Sequence, residues 1–259
     1  MDIVLVGAGN LATNLGYALK SAGHRILQVY SRTEESASTL AGLLQCGYTT
    51  VPEAVVPEAD MYVFSVKDSV LKPLADKLRE GREEALFVHT AGSMDMDVLD
   101  GGRRGVLYPM QTFSKSRLVD FRHIPCFVEA AEAADLAILK DLAGSVSDSV
   151  HELSSEDRKY LHLAAVFCCN FANHCCAIGA EILERHGIPF EVMRLLIKET
   201  ADKLGSLSPR EAQTGPAVRY DVNVISRQRE LLADIPEFQK VYDMMSEGIH
   251  KMSEERNTK

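Results

Sequence analysis

The chain has 259 residues, 46% hydrophobic and 25% charged, the composition of a globular protein rather than a disordered or fibrous one. Its 28 Lys and Arg against 37 Asp and Glu leave a net charge of −9, which gives no sign of the basic face that non-specific nucleic-acid binding needs. A chain this long buries a core without disulfides or metal, so the six cysteines are read as reduced thiols.

Met1-Asp2 runs directly into Ile-Val-Leu-Val-Gly, with no basic n-region and no cleavage site. A first core strand and a cytoplasmic location are expected, not a signal peptide. Short apolar runs follow at 3–6, 26–30, 61–66, 85–89, 105–108 and 125–128, alternating with helical patterns near 10–22, 33–44, 68–80 and 132–143. This alternation predicts an α/β domain with a doubly wound, mostly parallel, Rossmann-like sheet over residues 1–152.

The pattern changes at Ser154-Ser155-Glu156-Asp157, where an acid follows a hydroxyl by three residues as in a capping box. Residues 153–259 are expected to form an all-α domain. It would comprise a long helix near 155–185, a second after Gly187-Ile188-Pro189, and others near 221–232 and 236–252. The polar tail 253–259 is expected to fray. The apolar stretch 163–180 is interrupted by Asn170, Asn173 and His174, so it reads as a buried helix and not a membrane span. The helical domain is thin for so apolar a helix, which predicts a homodimer formed through it.

Gly7-Ala8-Gly9-Asn10-Leu11-Ala12 fits G-x-G-x-x-G/A, and it follows an apolar strand and opens a helix, the context that makes the pattern informative. Gly7 permits the turn, Gly9 lets the backbone approach a pyrophosphate, and Ala12 allows close packing of helix on strand. The helix N-terminus would meet the phosphates. The second strand ends in Tyr30-Ser31-Arg32-Thr33, with no carboxylate for a ribose 2′-hydroxyl. Ser31, Arg32 and Thr33 instead suit a 2′-phosphate, so NADP (NADPH) is the expected cofactor.

The other strand ends are rich in short polar residues. Ser65, Val66, Lys67 and Thr90 are assigned to the cofactor, and Thr90 and Ser93 also to the nicotinamide edge, while His89 reads as a satisfied histidine of the sheet edge. On the long helix, His162 and Asn170 lie eight apart, roughly on one face if the helix is regular. His162 is the candidate acid or orienting donor, with Asn170 supporting it. Arg219, within Thr214-Gly215-Pro216-Ala217-Val218-Arg219-Tyr220-Asp221, is the candidate holder of a substrate carboxylate, or else an ion-pair partner of Asp221. Adjacent cysteines on a helix diverge by about 100°. Cys168-Cys169 and Cys175-Cys176 are therefore read as small apolar packing, and no metal site is assigned.

These residues resemble the NADP-binding reductases of the pyrroline-5-carboxylate reductase and 6-phosphogluconate dehydrogenase superfamily. The similarity is closest to bacterial proteins joining a Rossmann-like domain to a helical domain of unknown function. It spans nearly the whole chain. It rests on residues 7–12, His89-Thr90-Ala91-Gly92, Pro109-Met110-Gln111-Thr112-Phe113, residues 160–166 with Asn170, and residues 214–219 with Asp221. The chain departs from the family pattern at Tyr108 (usually His), Tyr220 (usually Gly) and Gln228 (usually His). The resemblance implies a dimeric NAD(P)-dependent oxidoreductase without implying its substrate. The reading that follows is NADPH-dependent reduction of a small C=N or C=O substrate. The alternative, motivated by the three departures, is an NADP-binding sensor without turnover.

Overall fold

The structure is a computed structural model and describes residues 1–257. It forms two compact units, Met1–Cys169 and Asn170–Lys259. In the first, the elements in chain order are β1 (Asp2–Val6), α1 (Asn10–Ser21), β2 (Arg25–Tyr30), α2 (Glu34–Leu44), β3 (Gly47–Thr49), β4 (Met61–Phe64), α3 (Asp68–Arg79), β5 (Leu86–His89), β6 (Arg104–Pro109), β7 (Cys126–Ala130), α4 (Ala133–Val146), β8 (Val150–Glu152) and α5 (Ser155–Ala165). The strands form one sheet in the order β3-β2-β1-β4-β5-β6-β7-β8. All neighbours are parallel except β6 and β7, which run antiparallel. The expected α/β, doubly wound Rossmann-like sheet is therefore present.

Alternation within each strand builds two cores. On one face Ile3, Leu5, Val63 and Val88 pack with Leu15, Leu40 and Leu139 of α1, α2 and α4. On the other, Val4, Val6, Tyr62, Phe64 and Phe87 pack with Leu71, Leu74 and Leu78 of α3. Burial of both faces is why the central strands read as continuous apolar runs. The edge strands β3 and β8 were not evident in the sequence. Each has three residues, none fully buried, so neither carries an apolar run.

The division expected after residue 152 coincides with the end of β8, but the first compact unit continues to Cys169. The physical reason is a set of bonds from the start of α5 to the sheet, described below. The expected long helix is found over Ser155–Glu184, broken by a π-helical segment at Val166–Phe171 before α6 (Ala172–Glu184).

The second unit continues with α7 (Arg194–Lys203), α8 (Pro209–Ala212), α9 (Val222–Glu230) and α10 (Pro236–Asn257). The tail expected to fray from residue 253 is helical through Asn257, while Thr258 and Lys259 lie outside the described residues. Ala217 and Leu232 are the only buried apolar residues among the described part of this unit. Cys168, Cys169 and Cys175 are exposed in the single chain and fill no core within it. Cys126 is the cysteine that fills the core, and burial pushes its thiol up to about 11.

Candidate active site

The strand order reverses between β1 and β4, and a cleft of about 650 Å³ opens at the carboxyl ends of these strands and their neighbours. Gly7, Gly9, Asn10 and Leu11 line it. Gly7 has φ +123°, and a Cβ there would stand 2.2 Å from the Ser65 carbonyl oxygen, so only glycine fits. A Cβ on Gly9 would meet nothing within 4 Å, which leaves free space against the backbone for a ligand. Ala12 is not in the cleft wall but is packed in the core under α1. The first turn of α1 has no side-chain cap and no acidic residue. Its free N–H groups and positive dipole end suit phosphate.

Ser31, Arg32 and Thr33 line the same cleft, joined by Ser36, which no sequence signal had picked out. Ser65, Val66, Lys67, Asp68, Thr90 and Ala91 form the opposite wall. The Thr90 hydroxyl donates to the Phe64 carbonyl at 3.2 Å, tying the ends of β4 and β5 together. Ser93 Oγ donates to Asp68 Oδ2 at 2.7 Å, a bond between the loops after β5 and β4. Both hydroxyls are thus engaged in holding the cleft's edge.

His89 is completely buried at the end of β5. Its Nδ1 accepts the Ala91 N–H at 3.2 Å, so its Nε2 carries the proton donated to the Asp95 carbonyl, also at 3.2 Å. Burial, and then the nearby Arg158 charge, push it down to about 4. It is a neutral staple, as expected from the sequence.

His162 lies at the adjoining edge. Its Nδ1 is 3.1 Å from Tyr108 Oη, and the two rings meet edge-on with centroids 6.0 Å apart. Gly92, next to the cleft-lining Ala91, makes room for them. A Cβ there would fall 2.6 Å from His162 Nδ1 and 3.0 Å from Tyr108 Cε2. Burial raises the Tyr108 phenol above its ordinary value, with the Arg158 charge opposing.

The position of His162 follows from α5. Ser154 caps the helix, accepting the Asp157 N–H at 3.1 Å. One turn before His162, Arg158 is 1% exposed. Its Nη1 donates to Glu129 Oε2 of β7 at 2.5 Å, and its Nη2 to the Met94 carbonyl at 2.6 Å. Ser155 completes the network. Its N–H and hydroxyl donate to Glu129 at 2.9 and 2.6 Å, and its Oγ accepts the Met96 N–H at 2.9 Å. Nothing in the sequence signalled this network, since Arg158 sits in a charged stretch that reads as solvated.

In the helical unit, Asn170 falls within the π-helical segment and is exposed. A π-helical segment at Val166–Phe171 lies on the path from His162 to Asn170, so their angular separation differs from that of a regular α-helix. Arg219 is exposed and makes no ion pair with Asp221, which instead caps α9 by accepting the Val224 N–H at 3.4 Å. Tyr220 adopts the left-handed conformation (φ +50°), the geometry glycine favours, and its ring stacks on His250 at 4.1 Å. Gln228 accepts a hydrogen bond from Tyr242 Oη at 2.9 Å.

Residues 2–92 match the family described as NADP oxidoreductase, coenzyme F420-dependent, and residues 124–249 match a domain of unknown function, DUF2520. A Bacteroides fragilis crystal structure described as an NADP oxidoreductase is 54% identical, with 96% of this chain and 98% of that chain covered and a TM-score of 0.94. The chain belongs to this family of NADP oxidoreductases with a C-terminal DUF2520 domain. An imine reductase from Myxococcus stipitatus, solved with NADP+, shares the fold at 15% identity and a TM-score of 0.70, covering 100% of this chain and 94% of that one. So does a Plasmodium falciparum pyrroline carboxylate reductase with NADP bound, at 14% identity, 98% of each chain and a TM-score of 0.59. Comparison with curated proteins found no match.

Proposed function

We propose that this protein binds NADPH in the cleft between β1 and β4 and reduces a small C=N or C=O substrate. The observation that carries this reading is the His162 ring, bonded to Tyr108 and seated on Gly92 beside the cleft. The imine and pyrroline carboxylate reductases that share the fold support the substrate class. Gly7, Gly9, Asn10 and Leu11 would hold the diphosphate, with Ser31, Arg32 and Thr33 at the 2′-phosphate. Ser65, Val66, Lys67 and Thr90 would complete the cofactor's surroundings, with Ser93 keeping the nicotinamide edge in place.

NADPH, when bound, supplies a hydride to the substrate carbon. The electron pair displaced onto nitrogen or oxygen then takes a proton. His162 Nε2, which has no partner among the described residues, is the atom we assign to deliver it. A charged ring that gives up its Nε2 proton keeps the hydrogen on Nδ1, which faces Tyr108 Oη at 3.1 Å. That oxygen accepts from Nδ1–H before and after the transfer. Tyr108 is therefore a positioning residue that suits both protonation states of His162. Arg219, with no partner among the described residues, is proposed to hold a substrate carboxylate, and Asn170 to support the donor. The protein is further read as a cytoplasmic homodimer through its helical domain.

The test is NADPH oxidation against a panel of cyclic imines and keto acids. His162→Ala should lower turnover by about 10²–10⁴-fold while leaving NADPH affinity unchanged. Unchanged turnover removes His162 from the mechanism. The family match over residues 2–92 favours a second reading, in which a deazaflavin is the other hydride partner. NADPH oxidation driven by coenzyme F420 but by no imine or keto acid would support it. Tight NADPH binding without turnover on either would support a sensor.

A further inference from the structure

The cleft is lined by three cationic side chains, Arg32, Lys67 and Lys115. None of the three has a hydrogen-bond or ion-pair partner among the described residues. The carboxylate in the same wall, Asp68, is engaged by Ser93 Oγ at 2.7 Å. In a chain of net charge −9, three unpaired cations in one cleft mark a place that receives negative charge from outside the protein. Lys67 and Arg32 follow β4 and β2 directly. Lys115 does not: it is exposed in the long segment between β6 and β7.

What brings that segment to the cleft is Asn14, a buried residue of α1. Its Nδ2 donates to the Ser114 carbonyl at 3.1 Å and to the Asn10 carbonyl at 2.9 Å, and its Oδ1 accepts the Val119 N–H at 3.0 Å. Both ends of the side chain thus bind the 114–119 segment to the helix that opens at the phosphate loop. A bridge between Ser114 and Arg117 closes the turn on which Lys115 sits.

We propose that Lys115 is a phosphate-binding residue of the dinucleotide cleft, held in place by the Asn14 clasp on α1. The ammonium acts as a point charge toward a phosphate oxygen, the way lysine typically meets this group. The proposal rests on the NADPH reading above and adds a cation from the segment between β6 and β7, which no turn after β1 or β2 supplies.

The experiment titrates the full-length protein with NADPH and, in parallel, NADH, following cofactor fluorescence at low and high salt. Lys115→Gln should weaken NADPH about tenfold, the scale of one charge-assisted contact, and reduce the salt dependence of binding. Its melting temperature should not move, because the side chain is exposed. Loss confined to NADPH assigns the contact to the 2′-phosphate, and loss shared with NADH assigns it to the diphosphate. Both outcomes support the proposal.

Asn14→Ala should weaken NADPH as well, and the double variant should bind no worse than the weaker single one, since both act on one contact. Additive losses overturn the clasp. Should Asn14→Ala fail to fold, Lys115→Gln still decides. Unchanged NADPH affinity in Lys115→Gln overturns the proposal alone, whereas absence of NADPH binding by the unaltered protein overturns the cofactor reading with it.

Discussion

Two histidines, His89 at the end of β5 and His162 on α5, have opposite roles because their nitrogens are differently occupied. His89 spends both on backbone groups and lies wholly inside, whereas His162 spends only Nδ1. His89 also makes a pH prediction with a definite sign. Its folded value of about 4 lies below the unfolded 6.5, so the unfolded chain binds the extra proton first as pH falls. Its contribution to stability is complete above pH 6.5 and is lost between 6.5 and about 4. The loss amounts to about 3 kcal/mol, at roughly 1.4 kcal/mol for each pH unit between the two values. Urea melts across this range should show a smaller acid loss in His89→Gln than in the unaltered protein. Parallel curves for the two would refute the assignment.

At the scale of one element, α5 joins architecture to chemistry. Arg158 and His162 are four residues apart and so share a face, the first bonded to β7, the second to Tyr108 of β6. Removing Arg158 would strand the Glu129 carboxylate, a loss of about 3–5 kcal/mol for a buried pair broken on one side. Arg158→Met should therefore destabilise strongly in urea melts, and Arg158→Met with Glu129→Gln should recover part of that stability. If the double variant is no more stable than the single, stranded charge is not the cause. The network also explains why the first compact unit takes in the start of a helix that the sequence assigns wholly to the second domain.

At the scale of the molecule, the helical unit presents a mismatch between composition and burial. Phe171, Leu195, Leu196, Leu231 and Met244 are exposed, and α5 exposes Tyr160 and Leu163. Apolar exposure of this extent marks an interaction surface. The helix over Ser155–Glu184 is also long and apolar enough to cross a membrane by length and composition, with none of its most apolar window buried in the chain. Its first turns, however, are locked to the sheet by Arg158, which favours a second protein copy as the covering partner. Light scattering at micromolar concentration without detergent should give twice the 28.5 kDa chain mass. A monomeric mass would contradict the homodimer.

Much of this protein was legible locally. Short continuous apolar runs bounded by helical patterns specify a sheet buried on both faces, and Gly7, with its left-handed φ and the Ser65 carbonyl against it, admits no other residue. The missing carboxylate after β2 was equally visible, because cofactor recognition there depends on side chains adjacent in sequence. The short edge strands, the π segment that disrupts the register between His162 and Asn170, and the Asn14 clasp were not. The edge strands and the clasp depend on partners removed in the chain: Asn14 meets Val119 across 105 positions, as Arg158 meets Met94 across 64. The sequence by itself determined the class of fold and the phosphate loop, since both arise from spacing along a few residues. Only the tertiary structure decided that Tyr108 orients His162 and that Lys115 reaches the cleft, because those pairings exist only once distant strands and helices pack.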